Sequence, residues 1–407
     1  MVKLRNIFCI LYSVLCILSA NAEISFRGAW IATVANIDWP SKEAVGNDSL
    51  QQAEMSWILD SLASIGINAV IFQVRPTADA LYESKLEPTS HWLTGKQGDS
   101  LRYDPLAWTI DEAHKRGMEM HVWLNPYRVN LATMDTSLIA SDHVWRQHRE
   151  WFWEYNKQWY FDPGLEVTRE WICTVVQDII SRYDVQAIHM DDYFYPYPVG
   201  KLELPDKKTF ERFPRGFEDI KEWRRDNVNL AIQAISETIH ECKENIEFGI
   251  SPFGVWRNAD VDSTGSATKA GITNYDDLYA DIRLWIKNGW IDYVLPQLYW
   301  EIGKKVADYE ILAHWWANEV KGTNCKLYVG MAPYRLENAS PKGKTNAWNT
   351  GNEIVRQMQL NRTIPEITGE CFYSTRPLLR NPRGVCDTIK AIYSAKPGNS
   401  EYSLPWE

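Results

Sequence analysis

A single (β/α)8 barrel is the fold class that this sequence predicts, and three observations predict it. Eight short apolar runs alternate with amphipathic stretches. No linker or low-complexity break separates them. Polar and aromatic residues gather at one end of the runs. Runs rich in Ile, Val, Phe and Tyr are what strands buried on both faces need, as in a parallel sheet covered by helices. Eight βα units in 407 residues fit one TIM barrel with extended βα loops. A doubly wound sheet is the competing class, but no G-x-G-x-x-G follows the first strand.

The runs are "FRGAWIAT" (26–33), "INAVIFQVRP" (67–76), "MEMHVWLNPYR" (118–128) and "VQAIHMDDYF" (185–194). They continue with "IEFGISPFGVW" (246–256), "IDYVLPQLYW" (291–300), "KLYVGMAPYR" (326–335) and "GECFYSTRPL" (369–378). Between them, "DSLQQAEMSWILDSLASIG" opens on Asp48 as a cap and stops at Gly66. "DPLAWTIDEAHKRG" has Pro105 in its first turn and ends at Gly117, the usual helix punctuation. "TREWICTVVQDIISRY", "RRDNVNLAIQAISETIHE", "DDLYADIRLWIKNG", "ADYEILAHWWANEVKG" and "GNEIVRQMQLN" follow the same logic.

Before the first run lies a targeting segment. Lys3 and Arg5 precede "IFCILYSVLCILSA", an apolar stretch too short to span a bilayer, and Ala20-Asn21-Ala22 is an A-x-A cleavage site. Residues 1–22 therefore read as a signal peptide and 23–407 as one domain, periplasmic or secreted, with no transmembrane segment in the mature chain. Leu15 before Cys16 is a poor fit to a lipoprotein signal. Five cysteines remain after cleavage, with no CxxC spacing, and read as buried thiols; a Cys371–Cys386 disulfide is the alternative.

The 43 basic and 53 acidic residues give a net charge of −10, and no basic run stands out. Nucleic acid and anionic lipid are poor partners for such a chain. Cleavage would leave 41 basic residues and a charge of −12. The sequence sets no oligomeric state. Twenty Trp and twenty Tyr exceed what a core needs and suit stacking on an apolar ligand face.

A barrel works at the C-terminal ends of its strands. There the runs continue into "ANIDWP", "QVRPTADALY", "WLNPYR", "HMDDYFYP", "SPFGVWRN", "PQLYWEIG", "APYR" and "STRPL". Polar groups for hydroxyls and rings for C–H faces are the chemistry that holds a sugar. Strand alternation turns Ile188 and Met190 to the helices, and His189 and Asp191 to the barrel axis. In the sixth run Gln297, Tyr299 and Glu301 share one face. Asp191 and Glu301 can thus line one mouth, and two carboxylates across a cleft are the minimum for glycoside hydrolysis. Asp192 points elsewhere or pairs with Arg128 or Arg335 to orient the site. The catalytic candidates are Asp191, Asp192 and Glu301. Expected sugar-binding residues are Arg75, Asn125, Tyr127, Arg128, His189, Tyr193, Trp256, Arg257, Gln297, Tyr299, Trp300 and Arg335. Asp38, Asp79, Asp260 and Asp262 are rival carboxylates. No HxH, HExxH, G-x-S-x-G or P-loop occurs, so neither metal nor cofactor is expected.

At these residues the sequence resembles the glycosyl-hydrolase-like-10 group, also called the DUF187 family. The matching stretches include "RGAWIATVANIDWPS", "VIFQVRPTADALY", "YFDPGLEVTREWI", "IHMDDYFYPYP", "SPFGVWRN" and "IDYVLPQLYW". The resemblance implies a (β/α)8 barrel. It also implies exported glycoside hydrolases, among them a divisome-associated enzyme that cuts peptidoglycan strands stripped of their peptides. The fourth run is loosely similar to the D-x-x-D-x-D-x-E signature of chitinase-type barrels. Asp191 falls at its third acid, and Tyr193 or Phe194 falls where its Glu would stand.

Overall fold

The computed structural model describes residues 24–337 and 346–395; the segment 1–22, expected to be a signal peptide, lies outside them. The eight runs form β1 (Phe26–Ile31), β2 (Ala69–Arg75), β3 (Glu119–Leu124), β4 (Ala187–Met190), β5 (Glu247–Ile250), β6 (Tyr293–Val294), β7 (Lys326–Met331) and β8 (Ile367–Phe372). They close in chain order into one barrel, with every neighbour parallel and β8 paired back onto β1.

Strand alternation divides the side chains into two sets. Ile31, Val70, Phe72, Val122, Ile188, Met190, Phe248, Ile250 and Val329 pack outward against the helices. Phe26, Trp30, Ile71, Trp123, Ala187, Tyr293, Tyr328 and Cys371 fill the barrel itself. Phe26 stacks on Tyr328 with centroids 4.1 Å apart. Gly249 has a steric reason: a Cβ there would lie 1.8 Å from the Tyr293 ring. The Tyr293 hydroxyl in turn bonds Nδ1 of both His189 and His121, each at 2.9 Å, so the polar atoms on the axis are paired.

The helices that cover the barrel are α1 (Asp48–Ser64), α2 (Pro105–Lys115), α3 (Glu166–Arg182), α4 (Ile220–Cys242), α5 (Ile282–Asn288), α6 (Tyr309–Val320), α7 (Asn352–Asn361) and α8 (Val385–Ser394). Two predicted boundaries change. Asn47, not Asp48, caps α1, because its side chain accepts from Leu50 N–H. "DDLYADIRLWIKNG" is not one helix. Tyr279 takes a φ of 55°, which breaks the run after Asp277, and Asp281 caps α5 anew. The predicted runs also overshoot the strands, since their tails are loops. Within the β3–α3 loop a hairpin, Phe152–Tyr155 with Gln158–Phe161, buttresses the mouth. All five cysteines are free thiols, so Cys371 and Cys386 are not bridged.

Candidate active site

Asp191 is the first residue after β4, and its alternation points it into the mouth. Trp123, inward-facing on the neighbouring β3, donates from Nε1 to Asp191 Oδ2 at 3.0 Å. The Tyr193 backbone N–H donates to Oδ1 at 3.1 Å. The chain then bends, so Asp192 is not turned away to the helices. Its Oδ2 accepts from the Tyr197 hydroxyl. Both carboxylates are only 4% exposed.

Burial decides their electrostatics, because a charge removed from water must find compensation. Asp191 is pushed up to about 6 by burial; Arg128, the Tyr193 N–H, Trp123 and Asn125 pull it back. Asp192 is pushed up to about 7 by burial and then by the charge of Asp191, against Tyr197 and Gln297. A pair of this kind can hold one proton and one negative charge near neutrality, the division that acid–base work on one bond needs.

The aromatics of "DDYFYPYP" now separate by task. Phe194 packs edge-on against Trp285, and the buried Tyr195 accepts from Asn227 at 3.0 Å; both anchor the loop. Tyr197 clamps Asp192. Tyr193 is 40% exposed and carries the Arg128 guanidinium 5.4 Å over its ring.

The other candidates divide into two groups. Asn125, Arg128, Tyr193 and Gln297 lie with the carboxylate pair. Gln297 forms parallel bridges with Phe253, three residues beyond β5, and with Gly330 of β7, and donates to Ser251 O at 2.9 Å. Tyr299 stacks on Tyr373 at 5.9 Å within the field of Asp192. Trp300 meets Phe253 edge-on. Arg335 lies near the Tyr334 and Trp348 rings.

The remaining candidates are engaged in holding the scaffold. Glu301 is one of them: its carboxylate pairs with Lys304 at 2.9 Å and accepts from Trp348 at 3.1 Å. β6 ends at Val294, so alternation no longer governs a residue seven positions later. Burial pushes Glu301 up, but Lys304 and Trp348 outweigh it and leave it below its ordinary value, the wrong direction for a proton donor. Arg75 is fully buried in a two-pronged pair with Glu87 at 2.5 and 2.6 Å. Arg257 holds Asp276 and Asp262. Trp256 is buried, sandwiched near Trp315 and Arg283. Tyr127 is a core residue, 1% exposed. His189 is wholly buried, with Nε2 engaged by Trp30 and Ser251 and Nδ1 by Tyr293; burial holds it well below its ordinary value. Glu301→Gln is therefore expected to change kcat/KM less than about fivefold, the scale of an exposed ion pair of ~0.2–1 kcal/mol; steady-state kinetics on a glycan checks it.

Among the rival carboxylates, Asp38 ties the β1 loop to the β8 loop. It accepts from Ala32 N, Ser374 Oγ and Arg376 N at 2.7–2.8 Å, and burial pushes it up to about 6. Asp79 is buried among Thr77 and Gln97, Asp262 is bound to Arg257, and Asp260 is exposed on a loop. A cavity of about 720 Å³ between Glu83–Asp104 and Trp171 contains neither Asp191 nor Asp192. Two of its carboxylates already have partners: Glu87 holds Arg75, and Asp104 caps α2.

Residues 25–349 match the profile of the family described as Glycosyl hydrolase-like 10. The chain belongs to that family. Glycosyl hydrolase YngK of Bacillus subtilis (strain 168) is 44% identical over 389 residues, covering 95% of this chain and 75% of YngK. Glycosyl hydrolase DigH of Escherichia coli (strain K12) is 40% identical over 362 residues, covering 85% and 82%. Two solved structures share the fold. The PgaB (BpsB) glycoside hydrolase domain from Bordetella bronchiseptica has a TM-score of 0.52 at 10% identity, over 92% of this chain and 99% of that one. Alpha-L-fucosidase isoenzyme 2 from Paenibacillus thiaminolyticus has the same TM-score at 11% identity, over 90% and 48%. Membership makes this chain a glycoside hydrolase, with a glycan as substrate. Among the described residues no helix is long and apolar enough to cross a membrane.

In this chain the mouth of the barrel holds two adjacent acids. Sequence reading missed Tyr197, Trp123 and Tyr373 as neighbours of that pair. Tyr197 was visible as the fifth residue after Asp192, but only a loop that folds back brings it there.

Proposed function

We propose that this glycoside hydrolase is exported and cleaves an N-acetylhexosamine-containing glycan, peptide-free peptidoglycan strands above all, with Asp191 and Asp192 as its two carboxylates. The observation that carries the reading is the pair itself: adjacent, almost fully buried, raised to about 6 and about 7, and held by separate donors. Asp192, raised further, gives its proton to the leaving glycosidic oxygen as the C–O bond breaks, and a water then adds to the anomeric carbon and returns a proton to Asp192. Asp191 faces two N–H donors and Arg128, keeps its charge, and supports the positive charge that develops at the anomeric carbon. Tyr193, Tyr299 and Trp300 supply ring faces for the sugars.

Charge supports the choice of glycan. An acidic protein repels a dense polyanion at long range, and intact peptidoglycan carries stem-peptide carboxylates. Strands freed of peptides keep one lactyl carboxylate on every second sugar. Arg128 and Arg335 have no carboxylate within 4.0 Å among the described residues, so each is available for a sparse negative charge. Export rests on the N-terminal pattern, and a mature N-terminus at Glu23 in secreted material is its check. Purified enzyme is expected to release fragments faster from amidase-treated strands than from intact sacculi, followed by chromatography. Equal rates on both would remove the peptide-free preference.

A further inference from the structure

A second recess opens beside the carboxylate pair. It has a volume of about 660 Å³ and lies between the β1 loop and the loops after β7 and β8, lined by Ile37, Lys42, Tyr334, Tyr373, Ser374 and Arg376 among others. That volume is within the range of small-ligand sites, about 300–1,000 Å³. Its wall is continuous with the mouth. Tyr373 stacks on Tyr299 at 5.9 Å and meets Tyr334 edge-on at 6.2 Å. Tyr373 also lies in the field of Asp191.

The frame of the recess is fixed. The buried Asp38 binds Ser374 Oγ and Arg376 N on one side and Ala32 N on the other. The Arg376 side chain gives one bond from Nη2 to Asn36 O at 3.0 Å. No carboxylate lies within 4.0 Å of its guanidinium among the described residues. Its neighbour Arg380 differs: that cation already holds Glu337 at 3.2 Å. A half-buried guanidinium with free donors, set beside two tyrosine rings, matches a ring that carries one carboxylate. The fork meets the two oxygens, and the rings meet the C–H faces.

We propose that this recess is a subsite for a carboxylate-bearing sugar of the glycan, with Arg376 as its specificity-determining residue. The inference rests on the reading of the substrate as a glycan with lactyl-bearing sugars, and it names the group that would select those sugars. Lys42 stands beside Glu43 at the rim and Glu337 is held by Arg380, so the unpaired positive charge of the lining is that of Arg376.

The test measures binding of one short oligosaccharide in two forms, with the lactyl carboxylate free and as its methyl ester, by calorimetry on the full chain. The wild type is expected to bind the free acid at least about tenfold tighter, the effect of one charge-assisted hydrogen-bonded pair. Arg376→Ala is expected to lose most of that ratio, even with Arg128 and Arg335 in place, and Arg376→Lys to keep more of it. Both ligands are read on the same protein, so a loss of folded material does not alter the ratio. Equal wild-type affinities, or an unchanged ratio in Arg376→Ala, would overturn the subsite. Turnover of bare strands is read in parallel. An acid preference without turnover sinks the substrate reading and leaves the subsite standing; turnover without an acid preference does the reverse.

Discussion

Asp192→Asn is expected to lower kcat on bare glycan strands by about 10²–10⁴-fold, the range over which a positioned acid or base acts, while glycan affinity stays within a few fold. Asn fills the same space and can still accept from Tyr197, so geometry is kept and only the transferable proton is lost. Asp191→Asn should be impaired at least as much, because it removes the negative charge that faces the reacting carbon. The wild-type rate should rise as Asp191 loses its proton and fall as Asp192 loses its own. A narrow maximum between pH values of about 6 and about 7 follows from the two raised groups. In Asp192→Asn the residual rate should lack the alkaline fall. Near-normal turnover in either variant, with folding checked by circular dichroism, would remove the pair from the mechanism.

The barrel was legible because its pattern is redundant. Eight runs each carry the same apolar message, and an error of a few residues at one end does not change the count. His189 and Asp191 were placed on the axis by alternation alone, since β4 is regular up to Met190. The same rule did not carry to Glu301, because β6 spans only two residues, Tyr293–Val294, and the chain after it follows no period. The arginines show a different limit. Arg75, Arg257 and Arg376 look alike at strand ends, and what distinguishes them is a partner in the following loop: Glu87 and Asp276 neutralise the first two, and among the described residues no carboxylate lies within 4.0 Å of the third. Likewise, nothing in "ANIDWP" announces that Asp38 will bind a loop 336 residues later. Local pattern specifies the frame, while long-range pairing specifies which polar groups remain available for a ligand.

The same substitution that disables the enzyme should stabilise it. An acid raised from 3.8 to about 7 in the folded chain binds its proton more tightly when folded than when unfolded. Stability from that proton is therefore full below the unfolded value, declines as pH rises from about 4 to about 7, and is level above that. Above pH 7 the folded wild type holds a buried charge that the unfolded chain exposes to water. At ~1.4 kcal/mol for each pH unit of displacement, the penalty is on the order of a few kcal/mol. Loss of the charge-assisted bond from Tyr197 offsets part of the gain. Asp192→Asn carries no charge at any pH and escapes the rest. In denaturant titrations the variant should match the wild type near pH 4, move ahead of it between pH 4 and 7, and keep a constant lead above that. A lead that does not depend on pH would point to packing and not to the buried charge. A variant less stable than the wild type at pH 8 would mean that the hydrogen bonds to the ionised carboxylate outweigh its burial, and that Asp192 is ionised, not protonated, when substrate arrives.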